Sequence, residues 1–261
     1  MHKTISIEMD NRGVATIWLD RADKRNALSA QMITELHAAA DAISRDASVR
    51  VAILAAKGGT FCAGGDLEWM RTQFESDAEA TRREASKLAN MLSALNNLPK
   101  PLIGRLHGNA FGGGVGLACV CDVAVGVDNM LMGFTETRLG LIPATISPYV
   151  RARMGASMAR RVFMSGRGFA ANEAVRLNIL SHAVSAGDLD DAVEKEVAPY
   201  LKCAPQAVAK AKKLLLSSGP KIEQSEINHS IDELVACWEG EEAKEGISAF
   251  FSKQKPAWDA D

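Results

Sequence analysis

Apolar positions along the first half of the chain fall into short β-like runs separated by helical spacings. Residues 14–19, 51–55, 102–106 and 123–127 are mostly apolar, the pattern of strands buried on both faces. Between them, residues 28–43 place Met32, Ile33, Leu36, Ala39, Ala40 and Ile43 on one helical face, with Ser29 as the expected N-cap. Residues 81–98 do the same through Leu88, Met91, Leu92 and Leu95 and stop before Pro99. Strands alternating with helices predict an α/β core. Beyond about Pro148 the strand signal thins, and helices are expected over 188–201, 205–216, 222–238 and 241–253. The expected organisation is a core over residues 1–195 and a helical C-terminal region over 196–261 that packs on the core or on a partner subunit. Neither a sequence repeat nor a low-complexity segment stands out.

Composition narrows the function classes. A chain of 261 residues with 47% hydrophobic content is enough for one large domain, or one domain with a helical appendage. Thirty basic against 32 acidic side chains, a net charge of -2, offer no general electrostatic reason to expect nucleic acid or an acidic membrane. Residues 1–8 lack the apolar core of a signal peptide, and no apolar run approaches the ~18 residues of a membrane span. A cytoplasmic protein is the simplest expectation. Cys62, Cys119, Cys121, Cys203 and Cys237 have neither disulfide nor zinc spacing. They read as free, small core residues, with Cys119 and Cys121 on one side of a strand, and no metal site is expected.

Chemistry concentrates in two glycine-rich turns and one acid. Thr60-Phe61-Cys62-Ala63-Gly64-Gly65-Asp66 and Phe111-Gly112-Gly113-Gly114-Val115-Gly116 each follow a β-like run and lead toward a helix-like run. Backbone amides at such turns can point at a developing negative charge, so the two could converge on one oxygen. Either turn alone also reads as an ordinary tight turn. The triple glycine is not a dinucleotide-binding signature, since no ribose-binding acid follows at the proper distance. Glu136 is flanked by Phe134, Leu139 and Leu141, and desolvation there would raise its pKa toward that of a proton shuttle. The competing readings are an exposed loop acid or an ion pair with Arg138.

Taken together, FCAGGDL (61–67), HGNAFGGGVGL (107–117) and ETRLGLIP (136–143), in this order and spacing, resemble the enoyl-CoA hydratase/isomerase (crotonase) family. The resemblance runs from Val14 to the C-terminal EGISAFFSKQKP. It implies an α/β spiral of ββα units with C-terminal helices that build trimers, often paired into hexamers. It implies an acyl-CoA thioester as substrate, so that coenzyme A enters as part of the substrate and no separate cofactor is needed. By the resemblance, Ala63 and Gly113 would donate backbone N–H groups to the thioester oxygen, and Glu136 would move the proton. Gly64, Gly65, Asp66 and Leu67 would continue the loop around the acyl-CoA. The turn over 21–27, ending at Ala27, would line the adenine and pantetheine path, with Lys24 and Arg25 available to phosphates. Phe250 and Lys253 fall where relatives reach the coenzyme A of a neighbouring subunit; Lys253 reads equally as a solvated helix-end lysine.

One position departs from the family pattern. Typical hydratases of this family carry two glutamates around the attacking water, and the first would stand where this chain has Gly116. Residues 140–150 (GLIPATISPYV) resemble bacterial methylglutaconyl-CoA and carboxygeranoyl-CoA hydratases, which likewise have glycine there. Their substrates carry a second carboxylate, for which Arg138 is the candidate partner. Three readings stand: a hydratase working through Glu136 alone, a Δ3,Δ2-enoyl-CoA isomerase whose glutamate shuttles a proton between carbons, and a non-catalytic acyl-CoA binder. A hydrolase would need a nucleophile, and no Ser/His pair is evident. His107 reads as a turn or core histidine, and Asp122 as structural.

Overall fold

A computed structural model describes residues 2–218 and 221–259. Along the chain, β1 (Ile5–Met9) and β2 (Val14–Leu19) precede α1 (Ala30–Arg45), and β3 (Val51–Ala56) leads to α2 (Leu67–Phe74) and α3 (Ala78–Asn96). Next, β4 (Leu102–Leu106) and β5 (Ala110–Phe111) lead to α4 (Gly113–Val120), then β6 (Val123–Val127) and β7 (Leu131–Gly133) to α5 (Ser147–Ala159). Three short elements follow, β8 (Gly168–Ala170), α6 (Ala171–Arg176) and β9 (His182–Val184). The remaining helices are α7 (Leu189–Leu201), α8 (Pro205–Ser218), α9 (Gln224–Glu239) and α10 (Glu241–Phe251).

The strands divide between two sheets. The larger has the order β1-β2-β3-β4-β6-β9 and is parallel throughout except for the β1–β2 pair. The smaller has the order β5-β7-β8. Successive units β4-β5-α4 and β6-β7-α5 place one strand in each sheet and then a helix, which is the expected ββα spiral. The turn after β3 repeats the step through a single bridge between Cys62 and Ala110. Central strands such as β3 bury residues from both faces, as the apolar runs predict. Residues from all the main-sheet strands but β9, with α1, α3, α4, α5 and α7, close one continuous core.

Helix starts follow their caps. Ser29 accepts a bond from Met32 N at 3.2 Å, and the apolar face expected for α1 is buried. α3 begins three residues before the expected position because Asp77 accepts from Ala80 N. Three readings need correction. Cys119 lies in α4 and Cys121 at its C-cap, not on a strand, because a short apolar run carries no periodicity to separate helix from strand. Cys203 is exposed and Cys237 half-buried, while Cys62, Cys119 and Cys121 are in the core. Helix α7 runs across position 195 and buries Leu189, Val193 and Val197, so the core continues to Leu201.

The C-terminal helices attach in different ways. α8 buries no residue, but its Lys212 holds Asp122 at 2.7 Å and Lys100 O at 3.2 Å, which gives Asp122 a structural task. α9 packs Ile227, Ile231 and Val235 against Ala85 and Ala89 of α3. α10 packs Ala243 and Ile247 on Leu141, next to the acid singled out above. No described helix is long and apolar enough to cross a membrane.

Candidate active site

A cavity of about 810 Å³ opens between the two glycine turns, α2, residues 135–146 and the α9–α10 pair. Of the expected site residues, Arg25, Ala63, Gly64, Gly65, Leu67, Gly113, Glu136 and Phe250 line it. Lys24, Ala27, Asp66 and Lys253 do not.

The first turn runs parallel to residues 25–28. Leu28 N donates to Gly64 O at 2.8 Å, Asp66 N to Leu28 O at 3.1 Å, and Ala63 N to Arg25 O at 3.0 Å. The expectation that Ala63 supplies a free amide is therefore corrected: its N–H already has an acceptor. Gly65 pairs with Leu28 across a parallel bridge, in which the bonds fall on its chain neighbours. Its own N–H is left on the other side, toward the cavity that Gly65 lines. Asp66 is corrected as well. It caps α2 by accepting from Glu68 N and Trp69 N, and it pairs with Arg21 at 3.0 Å. Ala27 is buried, with its carbonyl accepting from Arg21 Nη1 at 2.8 Å.

The second turn is pressed onto the first. Gly112 takes a φ of 48°, open to glycine, and starts α4 at Gly113. The first N–H groups of a helix have no intrahelical acceptor, and Gly113 N–H lies at the cavity wall. A Cβ on Gly113 would sit 2.6 Å from Leu28 Cδ1, and one on Gly114 would sit 2.6 Å from Cys62 O. Glycine is needed here for close approach as much as for the turn.

Glu136 opens a 3-10 turn, Glu136–Leu139. Its carboxyl lies over the second glycine turn: a Cβ on Gly112 would be 2.6 Å from Oε1. Oε2 is buried without a hydrogen-bond partner. Burial pushes the pKa up to about 7, with the backbone amides of Glu136 and Thr135 pulling the other way. No ion pair joins Glu136 to Arg138. The Arg138 side chain lines the cavity and forms neither an ion pair nor a hydrogen bond with the described residues.

Position 116 has a steric reason for its glycine. A Cβ there would run into Ile146 Cγ2, and Ile146 is buried at the cavity wall. The space of the family's first glutamate is thus filled by an aliphatic side chain. Lys24 is exposed and 3.7 Å from Glu68. Lys253 is exposed just past α10. Phe250 lines the cavity of its own chain, together with Leu234 and Trp238. Sequence reasoning missed those two, as well as Trp69, Met70 and Ile142. Trp69 and Met70 sit on α2, whose eight residues are too few to display a stripe. No group of three or more His, Cys, Asp or Glu among the described residues could hold a metal ion.

Comparison with known proteins places this geometry. The family profile described as Enoyl-CoA hydratase/isomerase matches residues 9–261. The mitochondrial methylglutaconyl-CoA hydratase of Mus musculus is 30% identical over 97% of this chain and 81% of its own. An enoyl-CoA hydratase structure from Shewanella pealeana aligns with a TM-score of 0.81 at 37% identity, covering 99% of this chain and 97% of that one. One from Mycobacterium avium aligns with a TM-score of 0.86 at 30% identity, covering 99% and 100%.

Proposed function

The chain belongs to the enoyl-CoA hydratase/isomerase family, and from that premise we propose that it is a lyase adding water to a short or branched 2-enoyl-CoA. The observation that carries this is the Glu136 carboxyl, with a buried oxygen that has no partner among the described residues and a pKa of about 7, set against Gly112 near the Gly65 and Gly113 amides, neither of which has a backbone acceptor among the described residues. Gly65 and Gly113 N–H hold the thioester oxygen and make the β-carbon electrophilic. The Glu136 carboxylate takes a proton from water as the water oxygen bonds to the β-carbon, and the electron pair of the double bond moves onto the thioester oxygen as an enolate. Glu136 then returns the proton to the α-carbon, the enolate collapses, and the carboxylate is restored. Each amide donor contributes about 3 kcal/mol to the barrier reduction.

The Arg138 guanidinium, which lines the cavity and has no partner among the described residues, supports an acyl group bearing a second carboxylate, such as 3-methylglutaconyl-CoA, in keeping with the substrate named for the mouse relative. A second reading, a Δ3,Δ2-enoyl-CoA isomerase, is favoured by Ile146, which puts an apolar wall where a second carboxylate would help to hold water. A non-catalytic binder would have no use for the desolvated acid. Arg25 and Phe250 are proposed to contact coenzyme A. Helix α8, which buries nothing and exposes Leu214 and Leu215, supports assembly into a trimer or hexamer. The test is turnover with crotonyl-CoA, 3-methylglutaconyl-CoA and a 3-enoyl-CoA. Water addition to either of the first two is expected. Double-bond migration without water would establish the isomerase, and binding without turnover the binder.

A further inference from the structure

Arg25 and Asn26 both adopt left-handed backbone, φ 51° and 52°. Left-handed backbone is disfavoured for Arg25, whereas asparagine tolerates it when its side chain bonds locally, so the kink needs something to hold it. Asn26 does so with its side chain, which is fully buried. Its Oδ1 accepts from Arg21 N at 2.9 Å, and its Nδ2 donates to Lys57 O and Thr60 O, both at 2.8 Å. Its backbone N–H donates to Arg21 O at 2.9 Å. One amide thus links the end of β2, the loop after β3 and the first glycine turn.

The kink aims Arg25 O at Ala63 N and puts Leu28 opposite Gly65. Shifting that register by one residue would turn the Gly65 N–H from the cavity toward residues 25–28. Arg21 braces the same register from the other end, donating to Ala27 O and to the Asp66 carboxylate. We propose that Asn26 is a positioning residue that sets the direction of the Gly65 amide toward the substrate oxygen. The requirement is specific: one acceptor and two donors at a left-handed position. Aspartate would lose both donors and set a carboxylate against two carbonyl oxygens. Glycine would accept the backbone angle and lose the bonds.

This inference rests on the acyl-CoA reading, and the experiment separates the two. The probe is butyryl-CoA labelled with 13C at the thioester carbonyl, which is saturated and cannot be hydrated. In the wild type the bound carbonyl resonance should move away from its free position, because two amides polarise it. In Asn26→Asp it should move back toward the free position, and kcat should fall about 100-fold, the usual cost of a 1 Å misplacement, with a smaller change in KM. Should Asn26→Asp not fold, Asn26→Gly and Arg21→Lys carry the same comparison. A variant with lowered Tm but wild-type carbonyl shift and wild-type kcat per folded molecule would overturn the positioning role. No bound shift in the wild type would overturn the acyl-CoA reading and, with it, this inference.

Discussion

The two sides of the cavity are built by different means. The amide side consists of backbone at the ends of core strands, with Gly113 and Gly114 pressed onto Leu28 and Cys62 so closely that a methyl group would not fit. The acid side hangs on a 3-10 turn that α10 covers. There a Cβ on Gly140 would enter the backbone of Glu242, and one on Gly246 would lie 2.6 Å from Leu139 C. The proposed charge stabilisation is therefore anchored in the main core, whereas the proposed proton transfer rests on a turn that packs against residues 241–251.

Replacing the acid should break the comparison most completely. Glu136→Gln is expected to lose about 10²–10⁴ in kcat while retaining acyl-CoA binding, because the amides are untouched. Wild-type turnover would remove Glu136 from the mechanism. In the wild type, kcat/KM should fall as pH drops below about 7, since the first step needs the carboxylate. Stability moves the other way. A folded pKa of about 7 against an ordinary 4.5 means that between these values the folded state keeps a proton the unfolded state has released. Stability thus declines as pH rises through that window, by about 3 kcal/mol in all. Glu136→Gln should abolish the decline, making the variant more stable than the wild type at pH 8 and equal to it near pH 4 in urea titrations.

On the amide side, Gly65 offers a paired test. A Cβ there would come no nearer than 3.6 Å, to Met70, so Gly65→Ala should keep nearly full activity. Gly65→Pro removes the N–H and should cost about 10²–10³ in kcat. If both variants were equally active, Gly65 would not be a donor. The docking of α10 can be probed separately through Gly246→Val, which drives a side chain into the Leu139 backbone and should cost about 1–3 kcal/mol. Water admitted to Glu136 should then move the acid limb of the rate profile below pH 7, with the carbonyl shift of bound acyl-CoA unchanged.

The same contrast explains what was legible in the sequence. The β2, β3, β4 and β6 strands, α1, and both glycine turns were readable because apolar periodicity and glycine spacing are local signals. The β5, β7, β8 and β9 strands have only two or three residues each, too few for any period. The sequence reading put the first donor at Ala63, whose N–H is taken by Arg25 O; which N–H of that turn has an acceptor depends on Arg25 and Leu28, some forty residues away. That Phe250 and Trp238 line this chain's own cavity depends on how α9 and α10 return across it, which no local pattern encodes. Gly116 was noticed for its missing carboxylate, whereas its reason, Ile146, lies thirty residues further on.

That pair gives the smallest and sharpest test. If Gly116 were merely a lost acid, Gly116→Glu would restore a second carboxylate and speed hydration. The packing says otherwise: Ile146 already occupies the space, so the longer side chain must displace it, at about 1–3 kcal/mol. Gly116→Glu alone should therefore lower Tm without raising kcat. Adding Ile146→Ala opens the space, and the double variant should recover stability relative to Gly116→Glu, although Ile146→Ala alone destabilises. Such a reversal of sign is the signature of two residues sharing one volume. A Gly116→Glu protein with wild-type Tm and faster hydration would mean that Ile146 yields freely and that the acid side was one substitution away from two carboxylates.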